Sequence, residues 1–364
     1  MGVGQAAARK RLKRTGAKFP CRVKGAKVLN IGVIGYGYWG PNLVRNFNQN
    51  NNTRMAVIAD ADASRLTAAK KTYPGVRTTT DPYELIRSPE VSAVAIAVPV
   101  RFHYDLAKAA LEEGKHVWIE KPMAQSAVQC EDLIKLAEKA ERVLLVDHTF
   151  LYTGAVRKMK SVIDAGELGD IWYFDSVRIN LGLFQHDVNV VWDLAPHDLS
   201  IMHYLLDRTP TSLTAVGAVH TDKGIEDMAY LNLDFGNNLI ANIHVNWLAP
   251  VKIRHTIVGG SKRMLVYNDL EPVEKIRIYD TGISVAHDDL EDRRRTLIQY
   301  RTGDMLAPLV PNTEALATEV AHFAECIMEK KRPVTDGIAG WQVVRMLEAC
   351  ERSLKSGGGR VTLS

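Results

Sequence analysis

The sequence predicts an α/β protein whose first half is a doubly wound parallel sheet and whose second half adds a separate sheet. Three observations lead there. A G-x-G-x-x-G run stands between an apolar strand-like stretch and a helix-like stretch at residues 28–47. Short apolar runs then alternate with helix-like segments as far as residue 148, the pattern of parallel β–α units. Beyond residue 170 the strand-like runs follow one another with little helix between them.

In chain order, residues 28–34 form the first strand, and residues 42–47 begin a helix. Between them, Gly35 allows a tight turn, Gly37 a close backbone approach to a pyrophosphate, and Gly40 close helix–strand packing. The helix N-terminus offers free N–H groups and positive potential to the phosphates. The next strand, M-A-V-I-A-D, ends at Asp60, where an acid is expected on the adenosine ribose hydroxyls. No basic residue follows until Arg65, so NAD is favoured over NADP. Residues 91–99 form a buried-looking strand, 104–113 a helix, 116–122 a strand ending in Glu120-Lys121-Pro122, 127–139 a helix and 143–148 another strand. Ligands on such sheets bind beyond the strands' carboxyl ends, where Pro99, Glu120, Lys121, Pro122 and His148 fall. Lys121 is either a snorkelling surface charge or a cation beside a nicotinamide, polarising a substrate oxygen. Pro122 allows a cis peptide before it.

In the second half, residues 171–180, 213–219, 228–235 and 240–247 are strand-like, with F-G-N-N-L as a hairpin turn between the last two. Residues 314–330 and 339–356 have helical spacing. The stretch V-W-D-L-A-P-H-D-L-S, residues 191–200, reads as a helix capped by Asp193 with Pro196 in its first turn. Asp193 and His197, four apart, then share a face. Taken alone they are either a cap beside a core histidine or a paired acid and imidazole in one site.

The bulk numbers fit two domains: 364 residues, 46% hydrophobic and 24% charged, exceed what one core usually supports. Four scattered cysteines with no C-x-x-C pair argue against a disulfide framework or cysteine zinc site and fit a reducing cytoplasm. The scattered histidines have no metal spacing, so no metal is expected. No apolar run is long enough to span a bilayer. Residues 1–27 carry nine Lys and Arg and no acid, so the net charge of +4 becomes −5 for residues 28–364. The segment reads as a basic, disordered extension without the apolar region of a signal peptide. Nucleic-acid binding is expected only if that tail drives it.

G-Y-G-Y-W-G, Asp60, the P-x-x-x-H of Pro99 to His103, E-K-P and the D-x-x-x-H of Asp193 to His197 occur in one order. Over residues 28–360 this set resembles the glucose–fructose oxidoreductase/inositol dehydrogenase (Gfo/Idh/MocA) family of NAD(P)-dependent oxidoreductases. The resemblance implies a Rossmann domain at 28–148 and, at 149–364, a substrate-binding and oligomerisation domain with an open, mostly antiparallel sheet. Its C-terminal helices would return to pack near the first domain. It further implies catalytic roles for Lys121, His197 and Asp193. The cofactor would meet Gly35, Gly37, Tyr38, Trp39, Gly40, Asp60, Pro99, His103, Glu120 and Lys121. The substrate would meet Lys121, Arg178, Asn180, Gln185, Asp193 and His197, with His186 and Asn189 nearby. The chemistry expected is hydride transfer between a secondary alcohol and NAD, with His197 as acid/base and Lys121 on the reacting oxygen. The text around Asp193 most resembles a branch that oxidises UDP-N-acetylhexosamines at the 3-hydroxyl, which makes a sugar nucleotide the expected substrate and a homo-oligomeric dimer or tetramer the expected assembly. Two rivals are a glycosidase using NAD without net redox change and a non-enzymatic NAD-dependent binder. Ala195 stands where many relatives have glycine, and residues 149–152, T-F-L-Y, replace an arginine-containing stretch.

Overall fold

The structure is a computed structural model that describes residues 28–182, 188–221, 224–286 and 297–363. In chain order the first sheet is built from β1 (Leu29–Ile34), α1 (Gly40–Gln49), β2 (Thr53–Ala59), α2 (Ala63–Thr72), β3 (Arg77–Thr79), α3 (Pro82–Arg87), β4 (Ala93–Ile96), α4 (His103–Glu112), β5 (His116–Glu120), α5 (Ala127–Ala140) and β6 (Leu144–Asp147). The six strands lie in the order β3-β2-β1-β4-β5-β6, all parallel. The reason is visible in β4, whose A-V-A-I is buried at every position, as a strand covered by helices on both faces must be.

The chain then continues through α6 (Gly154–Asp164), β7 (Ile171–Leu181), α7 (Val190–Leu206), β8 (Ser212–Ala218), β9 (Met228–Asp234), β10 (Ile240–Asn246), β11 (Leu248–Gly260), β12 (Met264–Asn268), β13 (Ile276–Tyr279), β14 (Gly282–Ala286), β15 (Leu297–Arg301), β16 (Met305–Leu306), α8 (Ala315–Glu329), α9 (Gly337–Lys355) and β17 (Val361–Thr362). Nine of these strands form a second sheet in the order β16-β13-β12-β11-β7-β10-β9-β8-β17. It is antiparallel except where β7 runs parallel to β10. Along β9 and β10 buried and open positions alternate, so one face packs on α7 and α9 and the other stays uncovered. The F-G-N-N-L turn does join these two strands; Gly236, Asn237 and Asn238 all take positive φ there, which glycine and asparagine tolerate.

The returning C-terminal helices go deeper than packing near the first domain. Leu316, Val320 and Phe323 of α8 are buried in the core of the first sheet with Phe47 and Trp118. The three rings meet edge to face, Phe323 lying 5.5 Å from Trp118 and 6.3 Å from Phe47. Just before the helix, Glu314 forks onto Arg45 of α1.

The helix carrying D-x-x-x-H differs from its expected form. It begins at Val190, capped by the Asn189 side chain on the Trp192 N–H (3.2 Å), so Asp193 is not its cap and Pro196 lies in its interior. Proline there offers no N–H to the Trp192 carbonyl and crowds it, loosening the ladder in that turn.

Candidate active site

The glycine-rich turn is fixed by its own backbone. Gly35 has φ +97°, and a Cβ on it would overlap the Ala97 carbonyl oxygen; a Cβ on Gly40 would overlap the Gly35 carbonyl oxygen. Around Gly37 the space is open enough for a phosphate to approach, the nearest atom being Arg65 Nη1 at 3.4 Å from an added Cβ. Asp60, buried at the end of β2, accepts the Tyr36 N–H at 2.6 Å and the Asp62 N–H at 2.8 Å. A carboxylate has about four acceptor positions, which leaves room for ribose hydroxyls. A dinucleotide therefore fits this turn, held by Gly35, Gly37, Gly40, the α1 N-terminus and Asp60.

Arg65, five positions beyond Asp60, is not remote from it. Asp62 caps α2 through the Ser64 N–H, and the first turn brings Arg65 Nη1 to 3.5 Å from Asp60. A cation does stand beside the ribose acid, so its absence is no ground for preferring NAD.

At the far ends of β5 and β6 the side chains interlock. The Lys121–Pro122 peptide is cis. His103, buried at the start of α4, sets Nδ1 against the Pro122 carbonyl (2.8 Å) and Nε2 against that of Val98 (2.7 Å), so its ring ties two strand ends together. Burial lowers its pKa. Pro99 lies exposed on the loop after β4, and Tyr38 is exposed on the glycine turn. Trp39 instead turns inward and donates its indole N–H to Asp147 at 3.1 Å. Glu120, half-buried with Oε1 enclosed, is the cross-strand neighbour of the same Asp147; desolvation first, then that neighbouring carboxyl, push it well above the usual carboxylate range.

Lys121 reaches across to α7. Its Nζ donates to the backbone carbonyl of Asp193 (2.9 Å), in the turn Pro196 loosens, and lies 3.9 Å from Asp193 Oδ1. The Trp247 indole N–H holds the other carboxylate oxygen at 3.0 Å. Lys121 and Asp193 keep 18% and 22% of their side-chain surface open, enough to meet a ligand. His197 follows one turn later, its Nδ1 buried and without a partner among the described residues. Burial first, then the positive charges of Lys121, Arg178 and Arg254, hold its imidazole well below its ordinary range, so it is neutral at pH 7.

The structure thus brings Lys121, Asp193 and His197 together. Arg178 is placed differently from the expectation of a free substrate contact. It is buried and forked onto Asp198 (Nε to Oδ2 2.5 Å, Nη2 to Oδ1 3.3 Å), and Ser176 completes that carboxylate at 2.6 Å. Its Nη1 has no partner among the described residues. Asn180 is half-buried, two positions further on the same strand face. Asn189 is spent on its cap and on Glu226 (2.9 Å). Gln185 and His186 lie outside the described residues.

Several residues escaped sequence reasoning. Phe150, in the stretch that departs from the family pattern, lies edge-on to His197 (5.0 Å) under the guanidinium groups of Arg178 (4.6 Å) and Arg254 (5.6 Å). The sheet supplies arginines where the loop lacks one. Asp198, Trp247 and Arg254 gave no signal beyond their residue type. Asp147 did, as an acid ending a buried strand, and so did Glu319, an acid on the apolar stripe of Leu316, Val320 and Phe323.

Residues 29–148 match the family model described as an oxidoreductase family with an NAD-binding Rossmann fold, and residues 156–266 match the GFO/IDH/MocA C-terminal domain. The chain belongs to the GFO/IDH/MocA oxidoreductase family. Its first sheet is accordingly an NAD-binding Rossmann domain. Among relatives, the chain is 23% identical to scyllo-inositol 2-dehydrogenase (NAD(+)) of Bacillus subtilis, over 85% of this chain and 88% of that one. It is also 23% identical to 2,7-anhydro-N-acetylneuraminate hydratase of Escherichia coli, over 74% and 76%. Among solved structures it resembles UDP-N-acetylglucosamine 3-dehydrogenase from Acidithiobacillus ferrooxidans, with TM-score 0.75 and 22% identity over 90% of this chain and 98% of that one. Among the described residues no helix is long and apolar enough to cross a membrane.

Proposed function

We propose that this GFO/IDH/MocA oxidoreductase oxidises the 3-hydroxyl of a UDP-N-acetylhexosamine, UDP-N-acetylglucosamine first, to the 3-keto sugar nucleotide. The ketone would serve later transamination to a 3-amino sugar. The observation that carries the reading is the convergence of Lys121, Asp193 and His197 beyond the carboxyl ends of the Rossmann strands. NAD, when bound, supplies the hydride acceptor. The neutral His197 imidazole takes the alcohol proton as the C–H hydride leaves, and the carbon–oxygen bond becomes double. The Lys121 ammonium holds the reacting oxygen and stabilises the negative charge that grows there. Asp193, steadied by Trp247, binds a neighbouring hydroxyl and keeps Lys121 aimed.

The substrate choice rests on the sequence around Asp193 and is consistent with the likeness to the UDP-N-acetylglucosamine 3-dehydrogenase fold. We place the enzyme in the cytoplasm, in keeping with three buried free thiols (Cys130, Cys326, Cys350), and in a homo-oligomer joined through the uncovered face of the second sheet. The likeness to a hydratase favours a second reading, in which oxidation is transient and no NADH accumulates.

Purified protein mixed with NAD and UDP-N-acetylglucosamine should form NADH, read by absorbance, with a ketone captured by a carbonyl reagent. Lys121→Ala and His197→Ala should each lower the rate by roughly 10²–10⁴. NAD binding without NADH or ketone would refute this substrate and direct the search to cyclitols, other sugar nucleotides and redox-neutral cleavage.

A further inference from the structure

Glu319 is an acid where the sequence calls for an apolar residue. It projects from α8 between Leu316, Val320 and Phe323, and none of its surface is exposed. Among the described residues neither carboxyl oxygen meets an N–H or O–H donor. The acid acting on it most strongly is Asp147, the cross-strand neighbour of Glu120, which acts on Glu120 in turn. Ionised carboxylates only accept hydrogen bonds, so three ionised groups here would repel one another, with Lys121 the cation acting on Glu120. Protons on Glu120 and Glu319 turn the same contacts into two donated hydrogen bonds. Asp147 then accepts from Trp39 Nε1, the Thr149 hydroxyl and both protonated glutamates, which fills the four acceptor positions of a carboxylate. Burial together with the Asp147 carboxyl pushes Glu319 well above the usual carboxylate range, in agreement with that count. The other charged or titratable groups acting on Glu319 or acted on by it are Glu120, Arg157 and Tyr152.

We propose that Glu319 is a positioning residue of the cofactor site: its carboxyl stays protonated in the folded protein and donates to Asp147, which holds Trp39 at the head of α1. Trp39 immediately precedes Gly40 and is the N-cap position of the helix that faces the pyrophosphate. A helix from the far end of the chain thereby sets the geometry of the glycine-rich turn. Leaving one anion in the cluster rather than three also avoids a large negative field near the cofactor phosphates. The inference rests on the NAD-binding half of the molecule, so failure of UDP-N-acetylglucosamine to react would leave it intact.

The test uses the full-length protein, NAD alone as ligand, and the variants Glu319→Gln and Glu319→Leu. Infrared difference spectra at pH 7, wild type minus Glu319→Gln, should show the carbonyl stretch of one protonated carboxylic acid. In titration calorimetry Glu319→Gln, whose amide still donates, should bind NAD within about twofold of wild type. Glu319→Leu, which fills the space but donates nothing, should bind roughly tenfold more weakly, the scale of a lost hydrogen bond to a charged group. Melting curves taken alongside should show no matching loss of stability in Glu319→Leu, which separates positioning from a merely structural role. No protonated-acid signal in the difference spectrum, or unchanged NAD affinity in Glu319→Leu, would overturn the proposal. If Glu319→Leu does not fold, the spectrum and the Glu319→Gln affinity still decide it.

Discussion

The turn from Gly35 to Asp60 and the cluster around Phe150 are assembled in different ways. The turn lies within one β–α–β unit, and its constraints are local: a positive φ, two positions where a Cβ would strike a carbonyl, and a strand-end acid fixed by two backbone N–H groups. The Phe150 cluster gathers Lys121, Arg178, Asp193, His197, Asp198, Trp247 and Arg254 from strands and helices far apart in the chain; its Arg178–Asp198 pair is buried, while Lys121 and Asp193 stay partly open. A local site follows from residue spacing; a gathered site exists only when the whole second sheet is in register. Damage should therefore change ligand preference at the turn and stability in the cluster.

The largest effect expected is on stability. Arg178→Ala would strand Asp198 without its guanidinium partner in a buried position, at a cost of about 3–5 kcal/mol, seen as a lower urea midpoint. Arg178→Met combined with Asp198→Leu should recover much of that loss. A destabilisation under 1 kcal/mol for Arg178→Ala would show that the cluster is as local as the turn.

Acidification should act nearly as strongly. Burial holds His148 down to about 4, so as pH falls through 6.5 the unfolded chain takes up a proton that the folded protein refuses. Folding then loses roughly 3 kcal/mol from this group by pH 4. Glu120 and Glu319 have the opposite sign. Their raised folded pKa favours the fold at low pH, and that advantage is lost as pH rises above 4.5 and the unfolded chain releases its protons. Calorimetric melting should show His148→Gln losing less stability than wild type between pH 7 and 4, and Glu319→Gln losing less between pH 5 and 8.

At the turn, Asp60→Ala should leave the melting temperature within a few degrees of wild type. It should shift the ratio of NAD to NADP affinity toward NADP by about tenfold, since Arg65 remains to meet a 2′-phosphate. Fluorescence titration with both cofactors measures this. The smallest effect concerns Ala195, buried in α7: Ala195→Gly should lower stability by about 1 kcal/mol and leave turnover unchanged.

The Rossmann sheet, the four strands and hairpin of the second sheet and the placing of Asp193 and His197 one helical turn apart were legible because each rests on short-range pattern: glycine spacing, alternation, and i, i+4 geometry. The helix start was misplaced because Asp193 and Asn189 are both good caps and only tertiary contacts choose between them; Asn189 is also tied to Glu226. The Arg65 approach was missed because a helical first turn folds a residue back toward the preceding strand end, which counting along the chain does not show. Arg178 was visible as a strand-face residue, but its partner Asp198 sits on a helix, so nothing in the spacing marked the pair. Glu319 carried a usable sign, an acid on an apolar helical stripe, whose meaning emerges only when Asp147 is found opposite.

The most direct test of the central claim, that Lys121 and His197 serve net hydride transfer from a sugar hydroxyl to NAD, uses UDP-N-acetylglucosamine deuterated at C3. Mass spectrometry of the cofactor after one turnover should find the deuterium on the reduced nicotinamide, with the label absent from the keto product. Unreduced NAD, or deuterium returned to the sugar or its cleavage product, would contradict the account.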